Sequence, residues 1–320
     1  MLNFNEYLAK LSDNECSELY FTTGLKPCLR KNGTPYFCEE SEPCTREEIE
    51  SIIKNIVPSS AYNKYLEQGN TSFSHSVPGV GRYNVNIYKQ RNSAAMLIKP
   101  VFKQVNSDEL NIPNNIDHIL SAKSGITVIS SVTHRKEIAA ELISRIAADR
   151  NCLIVTIEDI IKYPLRSNNS LVFQREKGID FVSTDAVFDF TNIMHPDVLY
   201  VDLYSVDWQT MKQILDIAEG GTHVIVSIKG FGFESVINRL VEYCPNDYNN
   251  MIYSKISRLL NNVISEKVLY TKKDKKSIYE YCHMTQEAKT ELKTSHDVDK
   301  TKKVLFETSK SSIKCDELDD

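Results

Sequence analysis

Residues 126–146, ITVISSVTHRKEIAAELISRI, run from an apolar stretch through a polar turn into a helical pattern. A nucleotide-binding protein carries its phosphate loop, G-x-x-x-x-G-K-[ST], at such a place. There, backbone N–H groups converge on phosphate oxygens, glycines permit positive φ, the lysine reaches the β- and γ-phosphates and the hydroxyl ligates Mg2+. The polar residues available are Ser131, Thr133, His134, Arg135, Lys136 and Glu137. Set on residues 131–138, the motif has Glu137 in the lysine's place; set two residues earlier, it has Arg135 there. No glycine occurs between Ile126 and Lys177, and no Gly-Lys pair occurs anywhere. Arg135 or Lys136 supplies charge but not an amide cradle. The expectation is a former phosphate loop whose chemistry is lost.

The elements around the turn predict an α/β protein of two domains. Residues 1–100 combine helical spacing in FNEYLAKLSDN with short strand-like runs broken at Gly24-Leu25-Lys26-Pro27 and at Asn32-Gly33. Thr45 stands three residues before Glu48, a capping-box arrangement. TSFSHSV and GRYNVNIYKQ read as two further strands. Residues 101–116 are polar and proline-punctuated, a linker. From 117 to 285, GITVISS, NCLIVTIED, DVLYVDL and THVIVSI are continuous apolar runs alternating with helical stretches, the pattern of a parallel sheet covered on both faces. Residues 286–320 are Lys-, Ser- and Thr-rich and read as a disordered tail.

Composition narrows the partners. Of 320 residues, 41% are hydrophobic and 25% charged, with a formal net charge of −5, so a general nucleic-acid binder is not expected. No apolar run approaches the ~20 residues needed to span a bilayer, and the N-terminal residues lack a secretion signal. The eight cysteines form no C-x-x-C pair, so no metal site is expected from them. The chain reads as cytoplasmic.

With these elements in place, the chain resembles the PilT/PilU branch of the type II secretion and type IV pilus ATPases. In the first domain the likeness rests on SELYFTTGLKPCLRKNG and SFSHSVPGVGRYNVNIY. In the second it rests on SGITVIS, IVTIEDIIKY, FQRE, HPDVLYVD, AEGGTHVIVSI, INRLVEYCP and RLLNNVISEKVL, in order from about residue 5 to 270. The resemblance implies a PAS-like N-terminal domain and a RecA-like, P-loop NTPase-type domain with a mainly parallel sheet. It also implies a hexameric ring that depolymerises pilin during twitching motility.

The same resemblance assigns roles and marks departures. Glu158 and Asp159 match the family's Asp box, but its later acidic position is Lys162. VLYVDL resembles a Walker B strand whose Gly-Glu is replaced by Asp202-Leu203; Asp202 has room to act in the glutamate's place, one methylene shorter. Lys229 stands where the His-box histidine is expected. Asp189 and Ile193 stand where arginines are expected, and His195 takes an aspartate's place. In the first domain Arg82 is retained as a nucleotide-binding candidate, while Asn84 and Lys99 replace arginines. Glu137 and Lys229 are expected to be solvated.

The joint loss of phosphate loop, Walker B glutamate, His box and arginines, with the apolar framework kept, implies a catalytically degenerate structural or regulatory subunit of a pilus or related secretion machine. No cofactor is expected. The implied partners are further copies in a ring, an active PilT-type ATPase, or a pilus inner-membrane platform protein. Two alternatives stand beside it: a divergent active ATPase using ATP and Mg2+, and an adaptor that uses the inherited fold with an unrelated partner.

Overall fold

A computed structural model describes residues 3–13, 16–31, 33–101, 105, 110–270, 275–308 and 312–315. The chain divides into two units, Met1–Lys103 and Gln104–Asp320. The first runs α1 (Phe4–Asp13), β1 (Glu18–Thr22), β2 (Cys28–Lys31), β3 (Thr34–Phe37), α2 (Arg46–Ile56), α3 (Ser59–Gln68), β4 (Asn70–Val77), β5 (Gly81–Gln90) and β6 (Ser93–Val101). Its sheet has the order β3-β2-β1-β6-β5-β4, every pair antiparallel. Helices bury Leu8, Leu11, Ile49 and Ile53 against Leu19, Phe21, Val85, Ile87, Met96 and Ile98. Thr45 and Glu48 cap α2 reciprocally. β2 and β3 join at Lys31↔Thr34; Asn32 of the expected hairpin lies outside the described residues.

β6, between β1 and β5, is an element that sequence reading missed. Its turn carries no glycine: Arg91 and Asn92 both adopt positive φ (47° and 61°) between the paired Gln90 and Ser93. Two left-handed residues in a two-residue hairpin loop match strand twist, a geometry usually signalled by Asn-Gly.

The second unit runs α4 (Asp117–Leu120), β7 (Gly125–Ser131), α5 (Arg135–Asp149), β8 (Leu153–Glu158), β9 (Leu171–Glu176), α6 (Thr184–Met194), β10 (Val198–Asp202), α7 (Trp208–Glu219), β11 (His223–Ile228), α8 (Phe233–Glu242), α9 (Asn249–Leu259), β12 (Leu260–Tyr270), β13 (Lys275–His283), α10 (Gln286–Ser295), α11 (Val298–Thr308) and β14 (Ser312–Cys315). The sheet order is β14-β13-β12-β7-β11-β10-β8-β9. From β12 to β9 all neighbours are parallel; β13 and β14 are antiparallel. Every residue of β7, β10 and β11 is buried, as continuous apolar strands under two helical layers require. The expected fold class is the one observed.

Gly125 opens β7 at φ +83°, and a Cβ there would stand 2.6 Å from the Leu259 carbonyl oxygen. No other residue fits that junction.

Two boundaries differ from expectation. Of the linker 101–116, Val101 ends β6, and Leu110, Ile112 and Ile116 are buried in the second unit's core; residues 102–104 and 106–109 lie outside the described residues. The tail expected to be disordered forms α10 and α11. Ala288 with Leu292, and Thr301 with Leu305, are buried at i,i+4 spacing, so a single narrow stripe docks two otherwise charged helices. Thr285 caps α10, and Lys302 on α11 pairs with buried Glu280 (2.8 Å) and with Glu234 (2.9 Å). Residues 309–311 and 316–320 of that tail lie outside the described residues.

Candidate functional site

β7, β8 and β10 run parallel and deliver their C-terminal residues to one edge of the sheet, with Asp202 in register with Glu158. Only Val132, Thr133 and His134 separate Ser131, the last residue of β7, from Arg135, the first of α5. Ser131 Oγ accepts hydrogen bonds from the Thr133 and His134 amides, both at 3.0 Å. Thus the loop's own side chain caps two N–H groups that a phosphate loop would aim at its ligand.

The four residues that enter α5 are all tied to other parts of the unit, two of them to one carboxylate. His134 Nδ1 lies 2.9 Å from Glu266 on β12. Arg135 Nε donates to Asp202 Oδ1 at 2.8 Å. Lys136 Nζ lies 2.6 Å from Asp202 Oδ2 and 4.0 Å from Glu158 Oε2, and donates to the Ile160 carbonyl. Glu137 accepts from Lys162 and, at 3.1 Å, from Tyr163. Glu137 is therefore paired and largely buried, contrary to the expected solvation; Lys162 is its counter-ion.

Asp202 and Glu158 are 1% and 4% exposed. Glu158 also accepts from Thr156 Oγ1 at 2.7 Å and from Gln174 Nε2 at 3.2 Å. Burial pushes the Glu158 carboxyl up to about 7, against the pull of Lys136. Burial also works against the charge on Lys136 and Arg135, but the Asp202 carboxylate outweighs it and holds both above their ordinary values. Glu266 is buried too, yet the bonds it accepts from His134, Ser131 (2.6 Å) and Ser277 (2.8 Å) hold it below the usual carboxylate range.

The structure thus brings together Ser131, Thr133, His134, Arg135, Lys136, Glu137, Glu158 and Asp202. Sequence reasoning missed Glu266, whose only signal is a lone acid in the apolar run of β12. Lys229 is exposed beyond the end of β11 and stands apart from these pairs. Asp159 accepts from the Tyr204 amide. Asp189 and Ile193 are exposed on α6. His195 takes a left-handed φ of 49° and caps that helix, its amide bonded to the Thr191 carbonyl, which is a structural role. In the first unit Arg82 sits on β5 in register with Val101, Asn84 is buried beside Asn86, and Lys99 pairs with Glu18 at 3.1 Å. A cavity of about 680 Å3 lies between α1 and α2 and includes none of the cluster.

These residues do not fit Mg-ATP. Two amides of the turn are capped internally, its cations face carboxylates, and both oxygens of Asp202, the Walker B-like acid, are already engaged. Among the described residues no three His, Cys, Asp or Glu are grouped to hold a metal ion. No helix among them is long and apolar enough to cross a membrane.

No protein-family model matches the chain. Among curated proteins it is similar to the type IV pilus ATPase PilU of Pseudomonas aeruginosa, 21% identical over 273 residues, covering 84% of this chain and 71% of that one. It is also similar to the type IV pilus retraction ATPase PilT of the same organism, 24% identical over 271 residues, covering 84% and 78%. The crystal structure of the pilus retraction motor PilT with bound ADP superposes with a TM-score of 0.86 at 21% identity, covering 97% and 91%. The Legionella pneumophila ATPase DotB follows at 0.79 and 17%, covering 97% and 88%.

Proposed function

Because the chain is PilT/PilU-like in sequence and has the fold of PilT, we propose that it is a subunit of a type IV pilus or related secretion machine that keeps a motor's framework without its nucleotide chemistry. The observation that carries this reading is the closed charge account at the former loop: Arg135 and Lys136 face Asp202 and Glu158, and Ser131 fills part of the amide cradle. A phosphate loop works because its donors wait unpaired for a ligand. This loop has spent two of them on its own side chain. The subunit acts without ATP or Mg2+, on the cytoplasmic side, and contributes shape.

Assembly is the natural work for such a subunit, with further copies in a hexameric ring, an active PilT-type ATPase or an inner-membrane platform protein as its partners. Support comes from an apolar surface on the second unit. Leu171, Phe173, Ile179, Val182, Phe190 and Ile193 are all exposed, Val182 at 86% and Ile193 at 72%. Arg175 links β9 to α6 through the Phe190 ring, 5.7 Å away. The outer amides of β9 at Val172 and Glu176 are capped by Ser167 and Asp180, so contact through side chains is favoured over strand addition.

Calorimetric titration of the purified chain with a non-hydrolysable ATP analogue and Mg2+ tests the central point. No binding in the micromolar range is expected. Saturable, Mg2+-dependent binding there would replace this reading with the divergent ATPase, in which Asp202 must leave its cations to serve the metal.

A further inference from the structure

The misfit between these residues and Mg-ATP has a definite form. Arg135 and Lys136 project from the first turn of α5, where the helix dipole already favours an anion. They converge on Asp202, with Nε 2.8 Å from one oxygen and Nζ 2.6 Å from the other, and Lys136 also faces Glu158 at 4.0 Å. The side chains of Arg135 and Lys136 are only 11% and 12% exposed. A carboxylate offers these cations the same kind of ionised oxygen acceptors that a phosphate does. Above pH ~7, where Glu158 is ionised, two cations meet two carboxylates and the count is neutral.

We propose that Asp202 and Glu158 act as a built-in ligand for Arg135 and Lys136: an autoinhibitory contact in which the chain's own carboxylates hold the place between these cations that a phosphate-type oxyanion would otherwise take. This rests on the reading above that the resting chain binds no nucleotide. The carboxylates are fixed at the ends of β8 and β10, so they compete at an effective concentration that no free anion matches. In a site shielded from water the pairing is strong, and breaking it without a replacement strands charge. Removing one carboxylate charge leaves the cluster net positive at a helix N-terminus. The neighbouring pairs, His134 with Glu266 and Glu137 with Lys162, are untouched by that change, so the turn keeps its other anchors.

The probe is pyrophosphate without metal, titrated into the full chain and three variants: Asp202→Asn, Glu158→Gln and the double variant Asp202→Asn/Lys136→Gln. Melting temperature and phosphorus NMR line width report binding. The wild-type chain should show no change with pyrophosphate. Asp202→Asn should melt higher as pyrophosphate rises, with affinity roughly tenfold or more above wild type, and the double variant should lose the gain. Should Asp202→Asn fail to fold alone, refolding it with pyrophosphate carries the test, because a ligand bound only by the folded state restores its melting transition; Glu158→Gln, whose cations stay on Asp202, should gain little. A folded Asp202→Asn variant with no gain, or an unfolded one that pyrophosphate does not rescue, overturns the inference and leaves the no-nucleotide reading standing. A gain that survives Lys136→Gln also overturns it, since the anion then sits elsewhere. Equal binding by the wild-type chain removes the lock, whereas wild-type binding of the Mg-ATP analogue strikes the parent reading instead.

Discussion

Lys136 Nζ on α5 and Asp202 Oδ2 at the end of β10 stand 2.6 Å apart, and Arg135 grips the other oxygen of the same carboxylate. Removing one partner of a buried pair leaves the other uncompensated, a loss of about 3–5 kcal/mol, whereas replacing partners by packed apolar groups is often neutral. Lys136→Met should therefore lower stability by about that range in urea denaturation, because it leaves two carboxylates facing one cation. Lys136→Met with Glu158→Gln should recover part of it. A double variant whose change equals the sum of the two single changes would show that Lys136 and Glu158 do not interact across their 4.0 Å separation.

Glu158 sets a pH dependence. Its folded value is about 7 against an ordinary 4.5, so the folded state holds its proton more tightly than the unfolded chain. The stability it contributes is full below pH ~4.5, falls as the unfolded chain releases its proton, and is gone above pH ~7, a total of about 3 kcal/mol. Glu158→Gln mimics the protonated form. Its melting temperature should match wild type near pH 4.5 and exceed it at pH 8. A difference that stayed flat across that window would refute the assignment.

Glu266 behaves in the opposite sense. Hydrogen bonds from His134, Ser131 and Ser277 overcome its burial and hold it low, so its contribution is present above its ordinary value and lost as pH falls through the folded one. Ser131→Ala uncaps the Thr133 and His134 amides and removes a donor to Glu266. It should cost about 2 kcal/mol. It should not confer ATP binding, because the cations stay engaged. Chemical denaturation and the calorimetric titration together check both halves.

Ile129, Val155 and Val201 are buried in β7, β8 and β10. An aspartate at any of them buries an unpaired charge and should cost more than about 4 kcal/mol, seen as lost soluble protein or a collapsed melting point. Lys229→Ala should stay within about 0.5 kcal/mol of wild type. Glu137→Gln should fall between, since it weakens the bonds to Lys162 and Tyr163. An inverted ranking would mean that the strands are misassigned.

Leu305 on α11 is fully buried in the core of the second unit. Leu305→Ala should cost about 2–5 kcal/mol. A loss below about 0.5 kcal/mol would mean that the C-terminal helices are not part of the folded unit in solution.

The sequence made the strand-turn-helix at 125–149 legible because continuous apolar residues and the absence of glycine are local signals. It also placed Glu158 and Asp202 at strand ends, through strand patterning and resemblance. What it concealed were the pairs that cross elements. Ser131 and Glu266 are 135 residues apart, and neither belongs to a pattern that announces the other. Glu137 looked solvated because its partners, Lys162 and Tyr163, come from the loop after β8. α10 and α11 were hidden for another reason: each docks by a stripe so narrow that lysines and threonines dominate its composition. β6 escaped because its turn uses Arg91 and Asn92 where a glycine would have marked it.

If the function proposed above holds, the mutual neutralisation at the turn also resists its conversion into a nucleotide site. Lysine at 137 alone removes one partner of Lys162 and adds a third cation beside Arg135 and Lys136, with no phosphate to receive them. Gly-Glu in place of Asp202-Leu203 alone withdraws the carboxylate from both cations; among the described residues Lys136 is then left with Glu158 at 4.0 Å. Each single step crosses a less stable intermediate, although several taken together need not. The pairs therefore hold the turn in its present arrangement against any one substitution, and only a concerted set would open it.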